Sequence, residues 1–144
     1  MIDISNKKEI LRIATATGKI YLSKNTISKI KAKLIKKGDP IETAKVAAMY
    51  SIKNTSNLIP HCHQILINDI SFEYNIFDDY IEVFITVKAI ARTGVEMEAL
   101  IGVSIMLNVI WDMVKYLEKD EKGQYPNTKI TEIKIIEKKK IEEF

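Results

Sequence analysis

Arg92–Lys119 reads RTGVEMEALIGVSIMLNVIWDMVKYLEK. Thr93-Gly94-Val95-Glu96 has the spacing of a capping box, with Thr93 as N-cap and Glu96 as third helical residue. The helix it predicts runs to about Glu118. From Ala99 to Trp111 this segment is apolar on nearly every side, so it must be buried, in a core or between subunits. The uncharged run is shorter than the ~20 residues that a bilayer crossing needs.

The chain on either side supplies a sheet for this helix. Ile10–Leu22 alternates Leu11, Ile13 and Thr15 and predicts a strand. Asn25 can cap a helix reaching about Lys36, with Gly38 ending it. Asp39-Pro40-Ile41-Glu42 opens a second helix, with Asp39 as N-cap and Pro40 at N1, running to about Asn57. Ile65–Tyr74 places Leu66, Ile70, Phe72 and Tyr74 on one face, and Tyr80–Ala89 does so with Ile81, Val83, Ile85 and Val87. The polar Asn75–Asp79 between them predicts an antiparallel hairpin. A last strand covers about Lys129–Ile136, and the charged Glu137–Phe144 is expected to fray. The order β-α-α-β-β-α-β predicts one α+β domain over residues 1–144, with helices packed on a mostly antiparallel sheet.

Composition narrows the function. With 22 basic against 19 acidic residues, the net charge of +3 demands neither a nucleic-acid nor a membrane partner. The lysine-rich Lys24–Lys37 segment lacks the interleaved aromatics of a nucleic-acid binder. Cys62 is the single cysteine, so no intrachain disulfide forms. The N-terminus has no apolar signal core, and a soluble cytoplasmic protein is expected.

Two segments carry groups suited to chemistry. In Ala44–Ile65, AKVAAMYSIKNTSNLIPHCHQI, these are Lys53, His61 and His63. The spacing of His61-Cys62-His63 does not suit a compact zinc motif, and no CxxC or HExxH completes one. In Arg92–Lys119, the capping box accounts for Glu96, whereas Glu98 has no basic residue at i+3 or i+4. Asp112 and Lys115 interrupt the apolar run at i, i+3. An intrahelical ion pair explains them, and so does a proton-transfer pair in a cleft. Arg12, Lys37 and Lys138 add positive charge from other elements. No GxGxxG, Walker A loop or nucleophile elbow is present, so a nucleotide-like ligand would be held by side chains.

These two segments resemble the signature blocks of the MoaC family, the cyclic pyranopterin monophosphate synthases. The first block is close to A-x-x-A-G-I-x-A-A-K-x-T-x-x-L-I-P-L-C-H-P, and the second to K-T-G-V-E-M-E-A-L-x-x-x-S-x-A-x-L-T-x-Y-D-M-x-K. MIDIS at Met1–Ser5, KKGD at Lys36–Asp39 and TEIKIIEK at Thr131–Lys138 extend the likeness along the chain. The resemblance implies a ferredoxin-like fold and a homohexamer built as a trimer of dimers. It implies conversion of 3′,8-cyclo-7,8-dihydro-GTP to cyclic pyranopterin monophosphate with release of pyrophosphate, in molybdenum-cofactor biosynthesis. No cofactor is required, although magnesium could accompany the phosphates. Asp112, Lys115 and Lys37 take catalytic roles by this likeness. His61, Cys62, His63, Met97, Glu96, Glu98, Lys53, Arg12 and Lys138 take substrate-binding ones.

The sequence also departs from the family pattern. P-L-C-H-P is here PHCHQ, and the usual glycine-rich tail K-S-G-G-K-S-G is replaced by Lys138-Lys139-Lys140-Ile141-Glu142. A catalytically inactive nucleotide-binding module is the competing reading. A pure binder has no need of the Asp112–Lys115 pair. Lys37, Lys53 and His63 are expected to form one anion-binding surface. Glu98 and Asp112, 14 residues apart on one helix, are ~21 Å apart at ~1.5 Å per residue. The site is therefore expected to be shared between two subunits.

Overall fold

The computed structural model describes all 144 residues. The elements are β1 (Ile10–Tyr21), α1 (Lys24–Lys31), α2 (Pro40–Lys53), α3 (Thr55–Leu58), β2 (Asp69–Ile76), β3 (Tyr80–Ala91), α4 (Glu96–Glu118) and β4 (Lys129–Ile141). The strands form one antiparallel sheet in the order β2-β3-β1-β4. With helical segments after β1 and β3, this is an α+β domain of ferredoxin-like order.

Burial alternates along β1 and β3, and their register puts the buried residues on the same face. Ala14 lies beside Val87, Ala16 beside Ile85 and Ile20 beside Ile81. α4 packs on that face, and α2 lies against α4. α4 has 23 residues, and its length and hydropathy would suit a membrane span. Its apolar side is instead in the core, with Val103, Met106, Leu107 and Ile110 fully buried. Each such side chain contributes about 1.5–3 kcal/mol relative to exposure. Two glycines permit this closeness. A Cβ on Gly18 of β1 would stand 2.8 Å from both Leu107 Cδ1 and Val103 Cγ1, and one on Gly102 of α4 would stand 2.7 Å from Ile52 Cδ1 of α2.

Several expected boundaries are corrected. Ser23, not Asn25, caps α1, and its side chain accepts from the Thr26 N–H. Glu118 at the end of α4 holds Ser23 there, accepting from its backbone N–H and its hydroxyl. α1 stops at Lys31 and not near Lys36, because Lys33 turns to φ 59°. Asp39 caps α2 as expected, accepting from Ile41 and Glu42. α2 ends at Lys53, where the Asn54 side chain bonds back to the Tyr50 carbonyl at 2.8 Å. β2 begins only at Asp69, so Leu66 lies outside it and is 90% exposed.

β4 does not fray after Ile136. It pairs with β1 out to Ile141, across two register shifts. At the first, Glu132 adopts φ 56° and takes the ammonium of Lys19 at 3.1 Å. At the second, Ala16 pairs with Ile135 but Thr15 pairs with Glu137, so one extra residue sits in β4. Such a bulge exchanges the faces of all that follows. Lys138 thereby pairs with Ala14 and joins the helix-covered face.

The close approach at Gly102 can be tested directly. Gly102→Val should destabilise the protein by about 1–3 kcal/mol through overpacking, measured as a lower urea midpoint at unchanged slope. Wild-type stability would show that Ile52 and Ile85 yield easily.

Candidate active site

α4 carries charged groups at both ends and joins them without a break. At its start, Val95 is the N-cap and no side chain caps it. The expected capping box is absent, and Glu96 is the first helical residue instead of the third. The Glu96 carboxylate folds against Gly94, where a Cβ would lie 2.2 Å from Oε2, and pairs with Lys138. Partial burial would by itself raise the Glu96 carboxyl. The Lys138 bond, its own amide and the charges of Lys138 and Arg12 together hold it below the usual glutamate range.

Glu98, two residues on, behaves in the opposite way. It is 4% exposed and has no cation within ion-pair distance. Burial, then the negative charge of Glu96, raise its carboxyl against the opposing pull of its own amide. Neighbouring carboxyls with divergent affinities for protons can divide acid and base roles.

Both glutamates line a cavity of about 520 Å³, with Met97, His61, Cys62 and His63. All three residues of the His-Cys-His run therefore reach one space, although alternation in extended chain would have turned Cys62 away. Burial, and then Glu98, push the Cys62 thiol up, which keeps it protonated. The His63 ring is held through Nε2, 2.8 Å from the Ile2 carbonyl oxygen. Ile2 and Ile4 line the same cavity. Their part was missed in the sequence, where the apolar alternation of MIDIS was its only signal. Arg12 is buried, and its guanidinium donates to the carbonyls of Ala91 and Arg92 at 3.2 Å each. It braces the turn leading into α4 and lends its charge to Glu96.

At the far end, Asp112 lies between two ammonium groups. Lys115 Nζ is 3.0 Å from Oδ1, and Lys37 Nζ is 3.5 Å from Oδ2 and 2.9 Å from the Asp112 carbonyl oxygen. The hydrogen bond and charge of Lys115, then the charge of Lys37, keep the Asp112 carboxyl below the ordinary aspartate range. Asp112 in turn raises Lys115. At neutral pH the pair is thus a carboxylate acceptor and an ammonium donor. Lys53 is exposed at the end of α2 and makes no ion pair.

Within one chain, then, the expected residues fall into two groups. Arg12, His61, Cys62, His63, Glu96, Met97, Glu98 and Lys138 gather at the start of α4, and Lys37, Asp112 and Lys115 near its end. Lys37 and His63 do not share a surface in one copy of the chain. The helix does not break at Gly102, so ~21 Å separates the two groups along its axis.

The fold is an α+β domain of ferredoxin-like order whose longest helix carries Glu96 and Glu98 at its start and Asp112 with Lys115 toward its end. Residues 1–140 match the MoaC family, and the chain belongs to that family. Among its relatives is a probable cyclic pyranopterin monophosphate synthase of Pyrococcus furiosus, 48% identical over 99% of this chain and 91% of the relative. Proteins of the same description from Thermoplasma acidophilum (49% identical; 97% of this chain, 98% of the relative) and Thermococcus onnurineus (51% identical; 99% and 91%) match as fully.

The raised carboxyl of Glu98 predicts a pH-dependent gain from its removal. Between the ordinary glutamate value and the raised folded value, the folded state binds more protons than the unfolded one. Stability therefore falls as pH rises through that window. Glu98→Gln should melt at a higher temperature than the wild type at neutral pH. The two curves should converge once pH falls below the ordinary glutamate value. An unchanged melting point at neutral pH would show that Glu98 carries no burial penalty.

Proposed function

We propose that this protein is a cyclic pyranopterin monophosphate synthase of molybdenum-cofactor biosynthesis. It is a lyase that converts 3′,8-cyclo-7,8-dihydro-GTP to cyclic pyranopterin monophosphate and releases pyrophosphate. Membership of the MoaC family supports the reaction. The observation that carries the chemistry is the Lys37–Asp112–Lys115 cluster, a carboxylate acceptor between two ammonium donors. An inactive nucleotide-binding module would have no need of it.

The reaction demands proton transfers and the departure of a highly charged group. Asp112 takes a proton in the ring rearrangement and Lys115 supplies one. Lys37 and Lys115 offset the charge that develops on the leaving pyrophosphate. A guanine-derived ring presents adjacent N–H donors, which the carboxyls at the start of α4 can receive. His63 and Lys53 add further polar contacts, and Arg12 and Lys138 act by fixing Glu96. The chemistry requires no redox cofactor, and magnesium can accompany the phosphates as part of the substrate.

Groups acting on one reacting centre must come within ~3 Å of it, directly or through one water. An unbroken α4 cannot bring Glu98 and Asp112 so close together. Two copies related by a twofold axis can, with the start of one α4 beside the end of the other. A homohexamer arranged as a trimer of dimers provides such pairs, and the cytoplasm is the compartment proposed for it.

The activity is tested by incubating the purified protein with the cyclised GTP intermediate and measuring pyrophosphate. Asp112→Asn and Lys115→Ala should each lower turnover at least ~100-fold, with an unchanged circular dichroism spectrum. Near wild-type turnover in both would remove the acid–base assignment. Glu98→Gln and Asp112→Asn homo-oligomers should each be weak, and mixed oligomers should regain activity from sites assembled without a mutation. Full mixing without recovery would disprove the shared site.

A further inference from the structure

We propose that Tyr116 is a positioning residue for Lys37. The inference rests on the proposed role of Lys37 beside Asp112. Between α1 and α2, residues 32–39 have no regular secondary structure of their own. Three anchors hold this segment. Ile35 is buried, Gly38 N–H donates to the Ile35 carbonyl at 3.1 Å, and Asp39 caps α2. Lys36 and Lys37 lie between them, both exposed.

Tyr116 fixes the backbone at that point. Its hydroxyl accepts the Lys36 N–H at 2.9 Å, and the Lys36 ammonium stands 5.3 Å from the centre of its ring. Asp112 and Tyr116 are i and i+4 on α4 and therefore share a face. One residue beyond the tether, Lys37 reaches the same face and donates to Asp112. A lysine side chain has four rotatable bonds and loses much conformational freedom when held. A backbone fixed one residue away limits the region its ammonium can sample. The hydroxyl of Tyr116 thus acts on the reaction through Lys37 and need not touch the substrate. Tyr116 interrupts no pattern in the sequence and follows Lys115 directly, so nothing in the local chain marks it.

The test uses the full-length protein, pyrophosphate release and amide hydrogen exchange over residues 32–39. Tyr116→Phe keeps the ring and removes only a hydroxyl. It should speed exchange at Lys36 and lower kcat/KM roughly threefold to tenfold, the effect of one neutral hydrogen bond. The double variant with Lys37→Ala should be no worse than Lys37→Ala alone, because both act through one ammonium. Lys36→Ala keeps the N–H donor and should remain within about twofold of wild type. Wild-type turnover by Tyr116→Phe, in a protein impaired by Lys37→Ala, overturns the proposal, as do losses that multiply in the double variant. Wild-type turnover by Lys37→Ala overturns the reading beneath it and the proposal with it, and hydrogen exchange still reports separately whether the tether exists.

Discussion

The packing of α4 on the sheet is the constraint from which the rest follows. A helix can lie this close to β1 only where β1 has no side chain, and α2 can lie this close to α4 only where α4 has none. Gly18 and Gly102 meet those two needs. With the apolar faces engaged on both sides, α4 is one unbroken helix, and charged groups are placed toward its ends, where side chains escape the core. The loops then bring their side chains to this packed helix: His61–His63 to one end and Lys36–Lys37 to the other.

Electrostatics differ at the two ends for a reason of geometry. At the start of α4 the carboxyls face a cavity and part of the core. The one with a cation, Glu96, stays ionised, and the one without, Glu98, is pressed toward its neutral form. At the other end Asp112 is exposed between two lysines and remains a carboxylate. In the proposed shared site, a substrate would meet a protonatable carboxyl at its ring and positive charge near its phosphates.

Much of this was legible in the sequence because it depends on short-range periodicity. β1, the β2–β3 hairpin, the Asp39 cap and the end of α4 at Glu118 all follow from alternation, helical spacing and turn chemistry. The failures share one cause, a distant partner overriding a local preference. Thr93 loses the cap because Glu96 is drawn to Lys138 in the last strand, and Asn25 loses to Ser23 because Glu118 holds it. The charged tail is a strand because β1 offers it an edge. The members of the aspartate–lysine cluster were nameable singly, since Asp112 and Lys115 break an apolar run. That Lys37 joins them depends on a loop whose course no local pattern encodes.

The bulge at Ile136 sets a phase for the end of the chain, much as a reading frame does for a message. Residues after it that would have looked outward look inward, so the order of glutamate and lysines in this tail has meaning only relative to that one extra residue. Pairing without the bulge, with Ile136 opposite Thr15, would restore strict alternation and bring Glu137 opposite Ala14, into the place of Lys138. A carboxylate would then confront Glu96, and the first turn of α4 would change the sign of its neighbour with no residue there altered. In this segment of the chain, register is therefore under the same physical constraint as composition, and a tail without the family's glycines can still deliver its lysine.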